Sequence, residues 1–277
     1  MRVAIATSQS QLPPSDEALA DALRQRGVRA TAAIWSETGV DWRAFDAVLV
    51  RSCWDYHLRT AEFLSWIAHV EAAGIRMMND PVLLRWNANK QYLRALERGG
   101  IPIPETVWVG PNEGVDVGEV CTERGWRQAV VKPLVSASAY RTELRTSGIV
   151  NGPVMVQEYL AAIQNEGEWS LMWFDHAFSH AVRKRPQEGD FRVQKEYGGT
   201  AHAATPDAAL IGFASSVLER LPTRAVWARV DLLRDRGRLL LMELEILEPE
   251  LFLDASEGAD HRLAEVVMLR TSEEKRV

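Results

Sequence analysis

This sequence of 277 residues has only two cysteines, Cys53 and Cys121, far apart and in no CxxC or Cys/His cluster. That argues against a disulfide framework or a thiolate metal site and fits a reducing cytosol. No apolar run reaches the roughly 18 residues that suggest a membrane span, and the apolar stretch in MRVAIATSQSQ is too short for a signal peptide. A soluble, cytoplasmic protein is the expectation. Positive charge is not in excess: a formal net charge of −6 gives no global attraction to nucleic acid or anionic membrane. The six histidines, His57, His69, His176, His180, His202 and His261, form no ligand spacing, and no Ser/His/Asp or Cys/His set offers a nucleophile. Glycine is missing where nucleotide folds often need it. The turn after the first apolar run reads TSQSQLPPS, which disfavours a Rossmann site, and the absence of GxxxxGK[ST] disfavours a P-loop.

What is present is ordinary globular material, 47% hydrophobic and 25% charged, enough for two or three subdomains with their own cores. The ten tryptophans are scattered, as core residues would be. RVAIAT (2–7) reads as a buried strand, SDEALADALRQRG (15–27) as a helix capped by Ser15 and stopped by Gly27, and 29–34 and AVLVRS (47–52) as further strands. With the helix AEFLSWIAHVEAAG (61–74), this rhythm predicts a doubly wound parallel α/β unit over 1–79. A new section opens at Asn79-Asp80-Pro81 with one long helix to Gly99-Gly100, then a strand from IPIPETVWVG, a helix within 110–125, a strand at 128–132 and another in PVMVQEYL (153–160). From Glu168 the strands read as antiparallel, with a helix at 206–220, so the fold class is α/β passing to α+β in the C-terminal part.

The final hairpin carries the sharpest signal. AVWARVDLL (225–233) and RLLLMELEI (238–246) flank a turn that reads as a three-residue loop, Asp235–Gly237. In that register the odd-numbered residues share a face, which gathers Arg229, Asp231, Glu243 and Glu245, with Arg229 across from Glu243. Residues two apart on a strand are about 7 Å apart on one face, and carboxylates that close are costly to bury without a positive partner. A solvated or salt-bridged face is one reading. A bound magnesium ion is the other, favoured by the flanking leucines and by hard oxygen ligands without histidine or cysteine. So few ligands imply a nucleotide and phosphate-binding lysines; Lys132, ending the apolar strand VVKP, and Lys90, in WNANKQYL, are the candidates.

These motifs fall in a recognisable order: the "NK" lysine, "VVKP", "VQEYL", "GEWS", "GDFRVQ" with a later "GG", and the "VD" and "MELE" strands. Over roughly residues 80–270 the chain resembles the ATP-grasp superfamily, in particular its glutathione-synthetase and ribosomal-protein glutamate-ligase branches. The resemblance implies a small lobe at 80–156 and a large lobe at 157–277 behind a substrate domain at 1–79. It implies that Lys90 and Lys132 reach the α- and β-phosphates of ATP, that the hinge Gln157, Glu158, Tyr159 and Leu160 reads adenine, and that Glu168 bonds the ribose. Asp231, Glu243 and Glu245 are implied to hold one or two Mg²⁺ ions, with Mn²⁺ an alternative. Arg229 is implied to stabilise the acylphosphate and tetrahedral intermediate, and Arg183, Arg192 and Gln194 to meet the γ-phosphate or the acceptor. The phosphate loop departs from the family by lacking glycine, and the hydroxyls of Ser136 and Ser138 stand in for backbone contacts. The second metal position, often Asn, is Glu245.

The implied reaction is ATP-dependent carboxylate–amine ligation through an acylphosphate, on small-molecule carboxylate and amine substrates, with intramolecular ring closure as one form. An ATP-binding regulatory protein or a small-molecule kinase is the alternative, and a homodimer is compatible with the fold. Arg51, Trp54, Asp55 and Tyr56 emerge at the carboxyl end of the third strand, where α/β folds collect ligands. Arg51 suits a substrate carboxylate and Asp55 an amino group; a cluster joining two domains is an equally weighted reading.

Overall fold

The computed structural model describes residues 1–273 of the chain; the last four residues of the expected 157–277 lobe lie outside them. The N-terminal part runs β1 (Arg2–Thr7), α1 (Pro14–Gln25), β2 (Arg29–Ile34), β3 (Ala47–Val50), α2 (Thr60–Ala72) and β4 (Arg76–Met78). Its strands form an all-parallel sheet in the order β2-β1-β3-β4, as the strand–helix rhythm predicts. The cap of α1 differs from expectation. The helix starts one residue earlier, with Pro14 in its first turn behind Pro13 and no side-chain cap, so Ser15 lies inside it. Proline suits that position because its missing N–H would be unpaired there anyway.

The middle of the chain contains α3 (Pro81–Asn87), α4 (Gln91–Arg98), β5 (Thr106–Val109), β6 (Gly114–Asp116), α5 (Val117–Arg124), β7 (Ala129–Pro133), β8 (Glu143–Arg145), β9 (Ile149–Asn151) and β10 (Val154–Glu158). An antiparallel sheet orders β5-β10-β7-β8, and β6 pairs with β9. The single long helix expected from Pro81 is two helices. The break at 88–90 is held by the amide of Lys90 donating to Leu134 O at 2.7 Å.

The rest comprises α6 (Ala162–Asn165), β11 (Glu168–Phe174), β12 (Ala177–Arg185), β13 (Thr200–Ala203), α7 (Ala208–Leu218), β14 (Trp227–Asp235), β15 (Arg238–Glu245) and α8 (Ala259–Glu273). Its antiparallel sheet orders β13-β12-β11-β14-β15. The sequence reading did not foresee α8. Its Leu263, Ala264 and Val267 pack with Leu19, Leu23, Val3 and Ile5, so the chain's end covers the first sheet beside α1. On the sheet's other face Trp35, Trp42 and Trp66 pack with Phe63, confirming core roles for these tryptophans.

Two buried asparagines lock these parts together. Asn79 donates to Trp227 O at 3.1 Å and Ile246 O at 2.9 Å. Asn87 donates to Leu244 O at 2.8 Å and accepts from Ile246 N at 2.9 Å and Leu247 N at 3.1 Å. Both fasten the terminal hairpin, whose backbone groups would otherwise be buried without partners. The Asn87 clamp ends α3 beside β15, and Lys90, three residues on, pairs with Glu243 of that strand.

Candidate active site

The turn of the terminal hairpin corrects the expected one. Asp235 pairs with Arg238, leaving a two-residue loop in which Arg236 (φ 48°) and Gly237 (φ 79°) are both left-handed. That is the geometry of a tight hairpin turn whose twist matches its strands. Further along, Leu232 pairs with Leu241 but Asp231 with Glu243, so Met242 is an extra residue, a β-bulge. Arg229 therefore sits opposite Glu245 rather than Glu243. The shorter turn and the bulge each shift the register by one, and together they keep the odd-numbered residues on one face.

That face forms one wall of a cavity of about 1110 Å³. Carboxylate oxygens of Asp231, Glu243 and Glu245 lie within 4.8 Å of one another. Asp231 accepts from Ser170 Oγ at 2.6 Å, from Lys184 Nζ at 3.1 Å and from Arg229 Nε and Nη2 at 2.9 and 2.8 Å. Glu243 is ion-paired with Lys90, and Glu245 with Arg229. Burial opposes ionisation of Asp231, but Arg229, Lys184 and Ser170 outweigh it and hold its pKa low. Burial likewise opposes charge on Glu243, and Lys90 and Lys132 reverse the shift. Glu245 is different: burial, with Glu243 and Asp231 beside it, overcomes Arg229 and pushes its pKa up to about 7. Three hard oxygen donors with one held half-protonated near neutrality are an arrangement that a small divalent cation would complete.

Lys90 and Lys132 reach the same cavity from the middle of the chain. Burial disfavours charge on Lys90, yet Glu243 and then Glu245 and Glu248 raise its pKa. Lys132 has less support. It donates to Gln157 Oε1 at 3.1 Å, and burial, partly offset by Glu243, lowers its pKa. A buried ammonium without a carboxylate partner suits an incoming anion. Gln157, Glu158, Tyr159 and Leu160 line the cavity, as do Ser136, Ser138 and Glu168. The Ser136 hydroxyl donates to Pro133 O at 3.3 Å. In the loop that lacks glycine, Ser138, Ala139 and Arg141 adopt φ of 48°, 54° and 50°, a region that favours glycine. The Glu168 carboxylate meets Lys184 Nζ at 2.5 Å; burial raises its pKa against that pairing.

The structure redistributes several expected roles. Arg183 does not line the cavity; it bonds Glu166, and its guanidinium lies 5.4 Å from the Trp169 ring centroid. Its neighbour Lys184 does line it. Lys184 pairs with Glu168 in the β11–β12 ladder, whereas Arg183 pairs with Trp169, so strand alternation puts the lysine on the acidic face. That alternation, with Lys184 in register with Glu168, is the sequence signal that marks the lysine rather than the arginine. Arg192 and Gln194 line the cavity, Arg192 bonded to Asp190 at 2.6 Å and 3.5 Å from the Tyr197 ring centroid. A Cβ on Gly199 would lie 2.2 Å from Val193 O, so the second glycine of the "GG" pair is needed for this loop to close on itself.

Of the four substrate candidates, Trp54 and Tyr56 line the cavity and Arg51 and Asp55 do not. Arg51 is buried, bonded to Asp16 at 2.8 Å and to Pro249 O at 3.0 Å. Asp55 accepts from Trp35 Nε1 at 2.8 Å. Arg51 thus ties the N-terminal part to the segment after the terminal hairpin, as in the reading of a cluster joining two domains, whereas Asp55 is bonded within 1–79.

Residues 3–79 match the profile of the D-cycloserine synthetase DcsG N-terminal domain. The cycloserine biosynthesis protein DcsG of Streptomyces lavendulae is 30% identical over 286 residues, covering 94% of this chain and 93% of the relative. A crystal structure of D-cycloserine synthetase DcsG superposes with a TM-score of 0.86 at 27% identity, over 98% of this chain and 100% of the other. The ATP-grasp ligase PsnB, solved with a minimal precursor, Mg and ADP, shares the fold with a TM-score of 0.64 at 14% identity, each chain covered to 98%. Among the described residues no helix is long and apolar enough to cross a membrane. The chain belongs to the family of the cycloserine biosynthesis protein DcsG and, with it, to the ATP-grasp ligases.

Proposed function

We propose that this ligase activates a small amino-acid carboxylate with ATP and closes it into a ring by attack of the substrate's own nitrogen. The observation that carries the reading is one cavity that three clustered carboxylates share with Lys90 and Lys132, Lys132 being buried there without a carboxylate partner among the described residues. The kinship with DcsG, named for cycloserine biosynthesis, favours ring closure over joining two molecules.

Asp231, Glu243 and Glu245 would hold Mg²⁺, whose chemistry is to neutralise charge on the transferring phosphoryl group. Lys90 and Lys132 bind and orient the triphosphate as point charges, and Lys90 exchanges Glu243 for phosphate as it does so. The hinge 157–160 accepts the adenine edge; the amides of Glu158 and Tyr159 already donate to Glu105 O and Gln128 O, which fixes the hinge strand in place. The substrate carboxylate attacks the γ-phosphate, releasing ADP and forming an acylphosphate. The amine then adds to the acyl carbon, phosphate leaves, and the amine's proton passes to solvent. Arg229, buried and held by Asp231 and Glu250 O, keeps a fixed positive charge where the oxyanion develops. No side-chain nucleophile is needed.

The reading keeps 1–79, 80–156 and 157–277 as working parts, with α8 of the third seated on the first. Two free, buried cysteines are compatible with a cytoplasmic site of action. The test is Mg²⁺-dependent ADP release across amino acids of both chiralities, including ones whose side chain ends in an amino or aminooxy group, with hydroxylamine as trap. A hydroxamate supports the ligase. A stable phosphoester in its place makes the protein a kinase, and nucleotide binding without ADP release makes it a regulator.

A further inference from the structure

The acids of the terminal hairpin and the segment after it are not equivalent. Glu243 is paired with Lys90, Glu245 with Arg229, and Glu250 accepts from Phe252 N at 2.9 Å. The carboxylate of Glu248, the fourth, joins no hydrogen bond or ion pair among the described residues, yet Glu248 lines the cavity. It is also outside the group of three carboxylates near enough to share an ion. Both cations that approach this stretch, Lys90 and Arg229, are committed to other acids. Burial first, then the charge of Glu245, raises the Glu248 pKa well above the usual carboxylate range despite Lys90 and Arg229, so a cation brought by a ligand is what would restore its charge.

The surroundings say what kind of donor. Trp54 Nε1 donates to Glu248 O at 3.2 Å, tying the aromatic wall of the N-terminal part to this residue. Tyr56 lines the same cavity, its side chain buried and its phenol pKa raised first by that burial. A carboxylate lining one cavity with two aromatic side chains is a setting for a primary ammonium, which pairs with the acid and rests against a ring. Asp55, the acid expected for this role, is taken by Trp35.

We propose that Glu248, walled by Trp54 and Tyr56, receives the non-reacting ammonium group of the carboxylate substrate, so that the site selects an amino acid over its plain or 2-hydroxy acid counterpart. The assignment rests on the ligase reading. It adds a specificity residue to that reading and changes none of its steps.

The test pairs each amino acid that supports ADP release with its des-amino and 2-hydroxy analogues, in the wild type and in Glu248→Gln. The wild type should prefer the amino compound by at least about tenfold in kcat/KM, the scale of one charged hydrogen bond. Glu248→Gln should raise KM for that compound by about tenfold or more, leave KM for ATP unchanged and largely erase the preference. The unchanged KM for ATP shows that the variant is folded. A wild type that handles des-amino and amino compounds alike overturns the assignment whatever the variant does, and so does a variant that keeps both the preference and KM. A wild type that releases ADP with no compound in the panel sinks the ligase reading itself, and the assignment with it.

Discussion

Asp231 and Glu243 stand directly opposite each other across the terminal hairpin, on neighbouring strands whose other facing residues are mostly apolar. Asp231 also gathers Ser170, Lys184 and Arg229, so it is the hub of the acidic face. Asp231→Asn keeps the shape and removes the charge that two buried cations need. Breaking such a pair costs about 3–5 kcal/mol. Urea unfolding should show a loss on that scale, and ADP release should disappear. A variant as stable as the wild type would mean that Lys184 and Arg229 are compensated elsewhere.

Lys184 and Arg183 are adjacent in sequence and face opposite ways. Burial disfavours charge on Lys184, but Asp231 and Glu168 outweigh it and raise its pKa, so it remains a cation at the cavity wall. Lys184→Met should raise KM for ATP by about tenfold or more. Arg183→Ala should leave both kinetic constants within about twofold, as for a half-exposed pair. Steady-state kinetics in varied ATP decides the matter, and the reverse ranking would refute this placement.

Asn87 satisfies three backbone groups of the hairpin from one side chain. Asn87→Ala leaves them buried without partners, at about 1–3 kcal/mol or somewhat more for the set. Because the same helix end fixes Lys90 over Glu243, the variant should lose ATP affinity as well as stability. Calorimetric titration of a non-hydrolysable ATP analogue reads the first effect and urea unfolding the second. Loss of stability alone would separate the clamp from the site.

Much of this was legible because the relevant patterns are short-range. The parallel sheet follows from a strand–helix rhythm, and the acidic face from residues two apart on strands. The face was read correctly through a wrong turn and an unseen bulge, two one-residue shifts that preserve parity. What stayed hidden depends on contacts between distant segments. Nothing near Asn87 in the sequence marks it as a partner of residues 244–247. Nothing near Arg51 shows that Asp16 and Pro249 O would claim it. Glu243, Glu245, Glu248 and Glu250 look alike in the sequence, and only the cavity wall shows that Glu248 is the one left without a side-chain partner among the described residues.

His180 gives a pH dependence separate from the active site. Its ring is buried against Leu251 O and Phe252 O, each 3.0 Å from Nε2, and Ser179 Oγ lies 2.9 Å from Nδ1. Burial lowers its pKa below the usual value of 6.5, with Arg262 adding to the shift and the carbonyls opposing it. The unfolded chain therefore binds the proton more readily than the native one. Stability should be fully present above about pH 6.5 and fall as the pH drops through that value. Urea midpoints between pH 8 and pH 5, in about half-unit steps, should show the decline and its partial loss in His180→Gln. A difference between the wild-type and His180→Gln midpoints that stays constant across this range contradicts the assignment.

The central claim is that a divalent ion joins Asp231, Glu243 and Glu245 to a triphosphate held by Lys90 and Lys132. Its most direct measurement is electron paramagnetic resonance titration of Mn²⁺, with and without a non-hydrolysable ATP analogue, on the wild type and Glu243→Gln. The account predicts tight Mn²⁺ binding by the wild type with nucleotide, weakened by at least about tenfold in the variant while its fold is retained. Equal Mn²⁺ affinity in the two proteins would contradict it.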